Sequence, residues 1–314
     1  MYEKQFISDA VKRSASTEVD RRKLFTMLGV AGAGAAAATV LGGGAANAAP
    51  VDAASDAATD AAVLNFALNL EYLEAEFYLR AVTGHGLDEK DTTGLGRHGG
   101  VSGGKEVKFK SKIIAKYARE IARDEREHVR FLRKALGKSA VARPSISLDA
   151  AFTAAATAAG VIKKGQKFDA VANDTNFLLA AFLFEDVGVT AYKGAAGLIA
   201  NKTYLDAAAG ILAVEAYHAG AIRSVLYDRA SREPGLFSVV QKLSDARDSL
   251  DGKGDDDQGI RKGGAANITP TDGNGIAFGR TPGQVLNVVY LNPGKVTKGG
   301  FYPNGVNGAV TESA

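Results

Sequence analysis

The pattern Glu-x-x-His occurs twice in this chain, as Glu125 with His128 in DEREHVRFLR and as Glu215 with His218 in AVEAYHAGAIR. Each time an arginine, Arg133 or Arg223, stands five residues beyond the histidine. Residues three apart on an α-helix lie on neighbouring turns of one face, so the Glu and His of each pair can converge on a single point. Chance explains the repeat poorly. Glutamate is 14 of the 314 residues, so a given histidine has Glu three places before it about one time in twenty. Two of the chain's four histidines have it, each in a helical pattern.

The flanking segments supply two more helices with carboxylates in apolar surroundings. From residue 56 to about 82 the pattern is broadly apolar and helical, interrupted in LEYLEAEFYL by Glu71, Glu74 and Glu76. Glu71 and Tyr78 are seven apart, about two turns, and share a face. Glu74 neighbours both, so the inward carboxylate is either Glu71 or Glu74, and Glu76 is expected in solvent. A second helix spans about 110–136, with Ile113, Ile114, Tyr117, Ile121, His128, Phe131 and Leu132 as its packed face. Asp124 and Glu127 read as surface charges on it. A third, capped by Asp174, carries FLLAAFLFEDVGVTAYKGAAGLIA, in which Glu185 and Tyr192 repeat the Glu71 and Tyr78 spacing. A fourth, about 203–230, carries Glu215 and His218. A lone carboxylate in such apolar runs is costly unless paired or metal-bound.

Between these helices, residues 83–107 read as a long polar loop whose His85 and His98 are incidental, not ligands. Residues 138–173, with Pro144 and a short helix near 149–159, read as a crossover running the length of a bundle. The order is then Glu, Glu-x-x-His, Glu, Glu-x-x-His, the dinuclear carboxylate arrangement of a four-helix bundle. Four carboxylates balance two divalent ions, so such a cluster can be buried. With no cysteine in the chain, carboxylate and imidazole must be the metal's donors. The competing reading is a metal-free polar cluster neutralised by Arg133 and Arg223.

At the N-terminus, DRRKLF (20–25), a weakly apolar Ala- and Gly-rich run, and Ala46-Asn47-Ala48 read as a twin-arginine export signal with its cleavage site. The expected organisation is a signal peptide (1–48), a helical bundle (49–235) and a C-terminal helix and tail (236–314). The chain is expected outside the cytoplasm, in the periplasm or beyond the cell, with no membrane span once the signal is removed. The net charge of +3 is too nearly balanced to argue for nucleic acid. In the tail, DGKGDDDQG reads as flexible, with Asp255, Asp256 and Asp257 solvated. Thr281-Pro282-Gly283 opens a short helix through Tyr290, and its apolar content predicts that the tail packs back onto the bundle, excluding water or joining subunits of a homo-oligomer.

LNFALNLEYLEAEFYLRA, DEREHVRFLRKALG, FLLAAFLFEDVGVTAYKGAA, IAFGRTPGQVLNVVYL and GGFYPNG together resemble the ferritin-like superfamily, and most of residues 60–310 resembles its desiccation-related members. The resemblance implies an all-α fold: a ferritin-like four-helix bundle with a long crossover, extra short helices and an irregular C-terminal tail. It implies two metal ions, iron or manganese, on Glu71, Glu125, His128, Glu185, Glu215 and His218, with Glu125 and Glu215 bridging or capping. Tyr78 and Tyr192 would lie near the metals, orienting ligands or carrying an electron. The implied activity is oxidation of ferrous iron or decomposition of peroxide, with dioxygen or peroxide as the partner, during oxidative or drying stress. A stress-protective binding or structural protein that keeps the bundle without metal turnover is the alternative. The long loop and tail argue against the cage assembly of storage ferritins.

Overall fold

The computed structural model describes residues 49–254 and 256–314; the expected export signal lies outside them. Seven α-helices carry the architecture: α1 (Ala49–Thr83), α2 (Lys112–Leu136), α3 (Ala150–Ala158), α4 (Asp174–Ala196), α5 (Lys202–Arg232), α6 (Gly235–Asp248) and α7 (Pro282–Tyr290). α1 packs along α2, and α4 along α5, as two antiparallel hairpins whose apolar faces close on each other. This is an all-α four-helix bundle with extra short helices and a C-terminal tail. Among the described residues, strand is confined to two short pairs: β1 (Val101–Ser102) parallel to β2 (Ile146–Ser147), and β3 (Arg261–Lys262) antiparallel to β4 (Ala265–Ala266). No helix among the described residues is long and apolar enough to cross a membrane.

Buried carboxylates fasten the hairpins end to end. Asp60 of α1 accepts from the amides of Ala200 and Asn201, at 2.7 and 2.9 Å, in the turn between α4 and α5. Asp174, expected to cap α4, lies one place inside it and accepts instead from Lys110 N and Ser111 N at the start of α2. Asn173 is the cap, accepting from Asn176 N. Each carboxylate satisfies amides that a helix or turn end leaves unpaired.

Three sequence expectations fail. Glu76 is fully buried and pairs with Arg80 at 2.9 Å and with Arg143, because the loop after α1 and the segment after α2 close over that face. These two stretches run side by side, with Leu95 N bonding Ala140 O and Ala142 N bonding Leu95 O. On α2 the buried face is Ile114, Ala118, Ile121, Glu125, His128 and Leu132, whereas Ile113, Tyr117 and Phe131 are exposed. At 100° per residue these three fall roughly 60–100° off the buried line. Asp257, expected in solvent, is buried beneath the tail.

That burial belongs to a network that latches the tail. Asp186 of α4 accepts from Arg223 of α5 and Arg247 of α6, both at 2.8 Å. Arg247 also pairs with Asp257 at 2.9 Å, and Arg280 pairs with Asp257 and Asp251. Arg280 N then bonds Thr190 O on α4, and its own carbonyl lies so near Gly194 that a Cβ there would stand 1.9 Å away. Glycine is required at that crossing. Beyond it, α7 packs on α4, and Tyr302 reaches Asn69 O of α1 at 2.7 Å. Removing one partner of a buried ion pair leaves an uncompensated charge and costs about 3–5 kcal/mol. Asp186→Ala is therefore expected to lower unfolding free energy by about that amount, with denaturant titration as the measure, and to open the tail to limited proteolysis first.

Candidate metal centre

Each long helix brings one carboxylate to the middle of the bundle: Glu71 from α1, Glu125 from α2, Glu185 from α4 and Glu215 from α5, all buried. His128 and His218, one turn beyond Glu125 and Glu215, face each other with ring centroids 6.4 Å apart. His128 Nδ1 lies 3.2 Å from Glu71, 3.4 Å from Glu125 and 3.7 Å from Glu215. His218 Nδ1 lies 3.0 Å from Glu125 and 3.5 Å from Glu185. Two donor sets result, each with its ligand atoms within 4.8 Å of one another: Glu71, Glu125, His128 and Glu215, and then Glu125, Glu185 and His218. Glu125 belongs to both. Glu215 joins the His128 set alone.

The donor chemistry fits a pair of metal ions. Both oxygens of Glu125, both of Glu215, Glu185 Oε2 and His218 Nδ1 are buried with no hydrogen-bond partner. Buried polar atoms are almost always satisfied, and orphaned carboxylate and imidazole atoms gathered in these two sets are what ligands of an ion present. Hard and borderline divalent ions such as iron and manganese suit carboxylate with imidazole.

The electrostatics agree. Burial pushes the Glu71 carboxyl up to about 7, against the pull of His128. Burial, then the Glu125 charge, drives Glu74 and Glu215 well above the carboxylate range, and burial raises Glu185 against the pull of His218. Burial opposes the Glu125 charge too, but the two flanking histidines hold that carboxyl below its ordinary value. Burial likewise works against charging the histidines, and the carboxylates outweigh it, pushing both up to about 12. Glu74 is thus a fifth buried carboxylate that the four-against-four balance omitted. Two divalent ions would neutralise four of the five, and Glu74 is the one with no histidine nitrogen within ion-pair distance.

Two phenols cross between the hairpins. Tyr78 of α1 donates to Glu185 Oε1 on α4, and Tyr192 of α4 donates to Glu71 Oε1 on α1. Glu and Tyr of one helix do share a face, yet each serves the other helix. Burial and then the accepting carboxylate hold both phenols well above their ordinary value, so they stay neutral donors.

Sequence reasoning missed Asp124. Read as a surface charge, it is half-buried, with Oδ2 3.4 Å from His218 Nε2. The carboxylate comes from α2 and the imidazole from α5, so no spacing within one helix announces it. It also missed Gly188, which lies mid-helix in α4 where a Cβ would stand 2.2 Å from Glu215 Oε2. The matched arginines go elsewhere: Arg133 to Tyr72 and the carbonyl of Thr93, Arg223 to Asp186 and the tail. Neither neutralises the cluster. His85 and His98 are exposed and outside it.

The family model described as Ferritin-like domain matches residues 59–228. The chain belongs to the ferritin-like family. Among curated proteins it is 34% identical over 242 residues to the desiccation-related protein PCC13-62 of Craterostigma plantagineum, covering 73% of this chain and 76% of that one. It is 30% identical over 279 residues to the ferritin-like catalase Nec2 of Nesocodon mauritianus, covering 83% and 89%. No solved structure gives a significant match. The ferritin-like match takes in all four helices that supply the cluster and leaves the α6–α7 tail outside it.

Two substitutions probe this ferritin-like centre without touching a ligand. Gly188→Ala removes a mid-helix glycine, worth about 1 kcal/mol of helix propensity, but displaces the flexible end of Glu215. A melting temperature unchanged or raised, with a fall in bound metal, is the expected result by calorimetry and elemental analysis. Asp124→Asn removes the carboxylate that orients His218. Such outer partners are typically worth about 10–100-fold in metal affinity, and competitive chelator titration is expected to show a loss of that size.

Proposed function

We propose that this protein holds two iron or manganese ions and decomposes hydrogen peroxide, with dioxygen-linked oxidation as the second chemistry such a centre admits. The observation that carries the proposal is the position of Glu125, whose two oxygens face two separate donor sets. One shared carboxylate makes the sets a single dinuclear site. The similarity to a protein named a ferritin-like catalase supports peroxide as substrate, and the similarity to a desiccation-related protein supports a role in drying or oxidative stress. When bound, two such ions supply redox equivalents and open coordination positions for a small oxygen ligand.

The chain's own residues set the conditions. Glu71, Glu125, His128, Glu185, Glu215 and His218 would hold the ions. Tyr78 and Tyr192, donating to the outer oxygens of Glu185 and Glu71, fix the carboxylates and leave their other oxygens facing inward. Asp124 would keep the proton of His218 on Nε2, presenting Nδ1 as the ligand atom. Walls of Leu73, Phe77, Phe177 and Val187 keep bulk water out. We further propose export through the twin-arginine route to the periplasm or beyond, and self-association through surfaces outside the cluster.

Glu125→Gln tests the central claim at constant volume. The expected outcome is a fall in metal content to one ion or none, with peroxide turnover reduced more than about 100-fold; X-ray anomalous scattering at the two absorption edges then distinguishes iron from manganese. A protein purified from its own exported fraction with no transition metal, or undiminished turnover in the variant, defeats the proposal in favour of a stress-protective protein without chemistry.

A further inference from the structure

On the α1 and α4 side of the cluster lies a cavity of about 100 Å³, between those helices and α3, α6 and α7. Its mouth is at Ala158 and Ser249, both exposed, and its floor is Glu74 and Gly188, both buried. The walls between are apolar, formed by Leu70, Leu73, Phe184, Val187, Leu243 and Val288. Phe184 and Phe301 meet edge to face there, with centroids 5.0 Å apart.

Three polar side chains line the cavity, and two are already committed. The Arg247 guanidinium bonds Phe182 O at 2.7 Å and pairs with Asp186 and Asp257. Ser249 Oγ donates to Ala246 O at 2.8 Å. Glu74 is the polar group those contacts do not consume. Its Oε1 would lie 3.4 Å from a Cβ at Gly188, and Glu215 Oε2 2.2 Å from the same point, so the bare glycine brings cavity, Glu74 and the cluster together.

We propose that this cavity is a binding site for a small monocyclic phenol, with the ring among the apolar walls and the hydroxyl against Glu74. Size sets the limit at about one ring, since a closed apolar cavity of roughly 150 Å³ takes benzene and this one is smaller but open at its mouth. Charge sets the class. An anion would face five carboxylates with its one arginine already engaged, and a cation would be stripped of water in an apolar cleft. A neutral hydroxyl both donates and accepts, so it satisfies the Glu74 carboxyl in either protonation state. The aromatic walls favour a ring over a flexible chain, which would lose more conformational freedom on binding. The site needs no metal, so this inference stands or falls separately from the peroxide chemistry.

The test is calorimetric titration of the full chain with phenol and with benzene, before and after treatment with a chelator. Saturable binding of one phenol per chain is expected under both conditions. Glu74→Leu is expected to lower the phenol-to-benzene preference about tenfold, the ratio one hydrogen bond to a buried carboxyl supplies. Leu243→Trp, which fills the cleft, is expected to abolish binding of both. Should that variant fail to fold, Ala246→Phe at the half-buried rim serves instead, with melting temperature as the control. Absence of saturable phenol binding, a preference unchanged by Glu74→Leu, or phenol binding undiminished in a folded cleft-filling variant overturns the proposal.

Discussion

Everything in this bundle turns on gathering five carboxylates into its interior. An isolated buried carboxylate costs several kcal/mol even after relaxation, and here Glu71, Glu74, Glu125, Glu185 and Glu215 are all nearly or fully buried. Two imidazoles between them offset part of that cost, and the orphaned oxygens are where cations would offset more. Each hairpin supplies half of the six donors: Glu71, Glu125 and His128 from α1 and α2, and Glu185, Glu215 and His218 from α4 and α5. Neither half is neutral alone. The cluster is therefore a link between hairpins as well as a site, and it explains why contacts that set their separation, such as Gly188 against Glu215, fall so close to it.

A second electrostatic centre lies at the edge of the bundle and does different work. Asp186 is the residue after Glu185, turned about 100° around α4, and so faces outward from the cluster toward Arg223 and Arg247. One helix thus presents a carboxylate to the cluster and the next carboxylate to the tail. Arginine is the better partner for the second, because its fork can satisfy several oxygens at once, as Arg223 does with Asp186, Gln258, Gly259 and Asn267. The tail is held against α4 close to the helix that shapes the centre, and it closes one side of the apolar cleft that leads to Glu74.

Much of this was legible before the fold was known, and unevenly. The helical periods, the two Glu-x-x-His pairs and the Glu-x6-Tyr repeats depend on spacing along one helix, which sequence records directly. The four helices and their gathered carboxylates follow from it. Glu76, Asp124 and Asp257 were misread because what buries or engages each comes from a segment distant in sequence: Arg143 for Glu76, His218 for Asp124, Arg247 and Arg280 for Asp257. The arginines after the histidines show the converse failure. Arg133 and Arg223 match in position yet serve a loop and a tail, since a shared offset from His fixes only the direction of a side chain from its own axis.

The sequence by itself determined an all-α chain with a Glu or a Glu-x-x-His on each of four helices, because helix geometry converts spacing into a common face. The tertiary structure alone decided that Glu125 is the carboxylate both donor sets share, that Tyr78 and Tyr192 serve the carboxylates of each other's helices, and that Glu74 closes a cleft beside the cluster. Those facts depend on how the hairpins are rotated and separated, a matter of packing between faces that no single helix encodes.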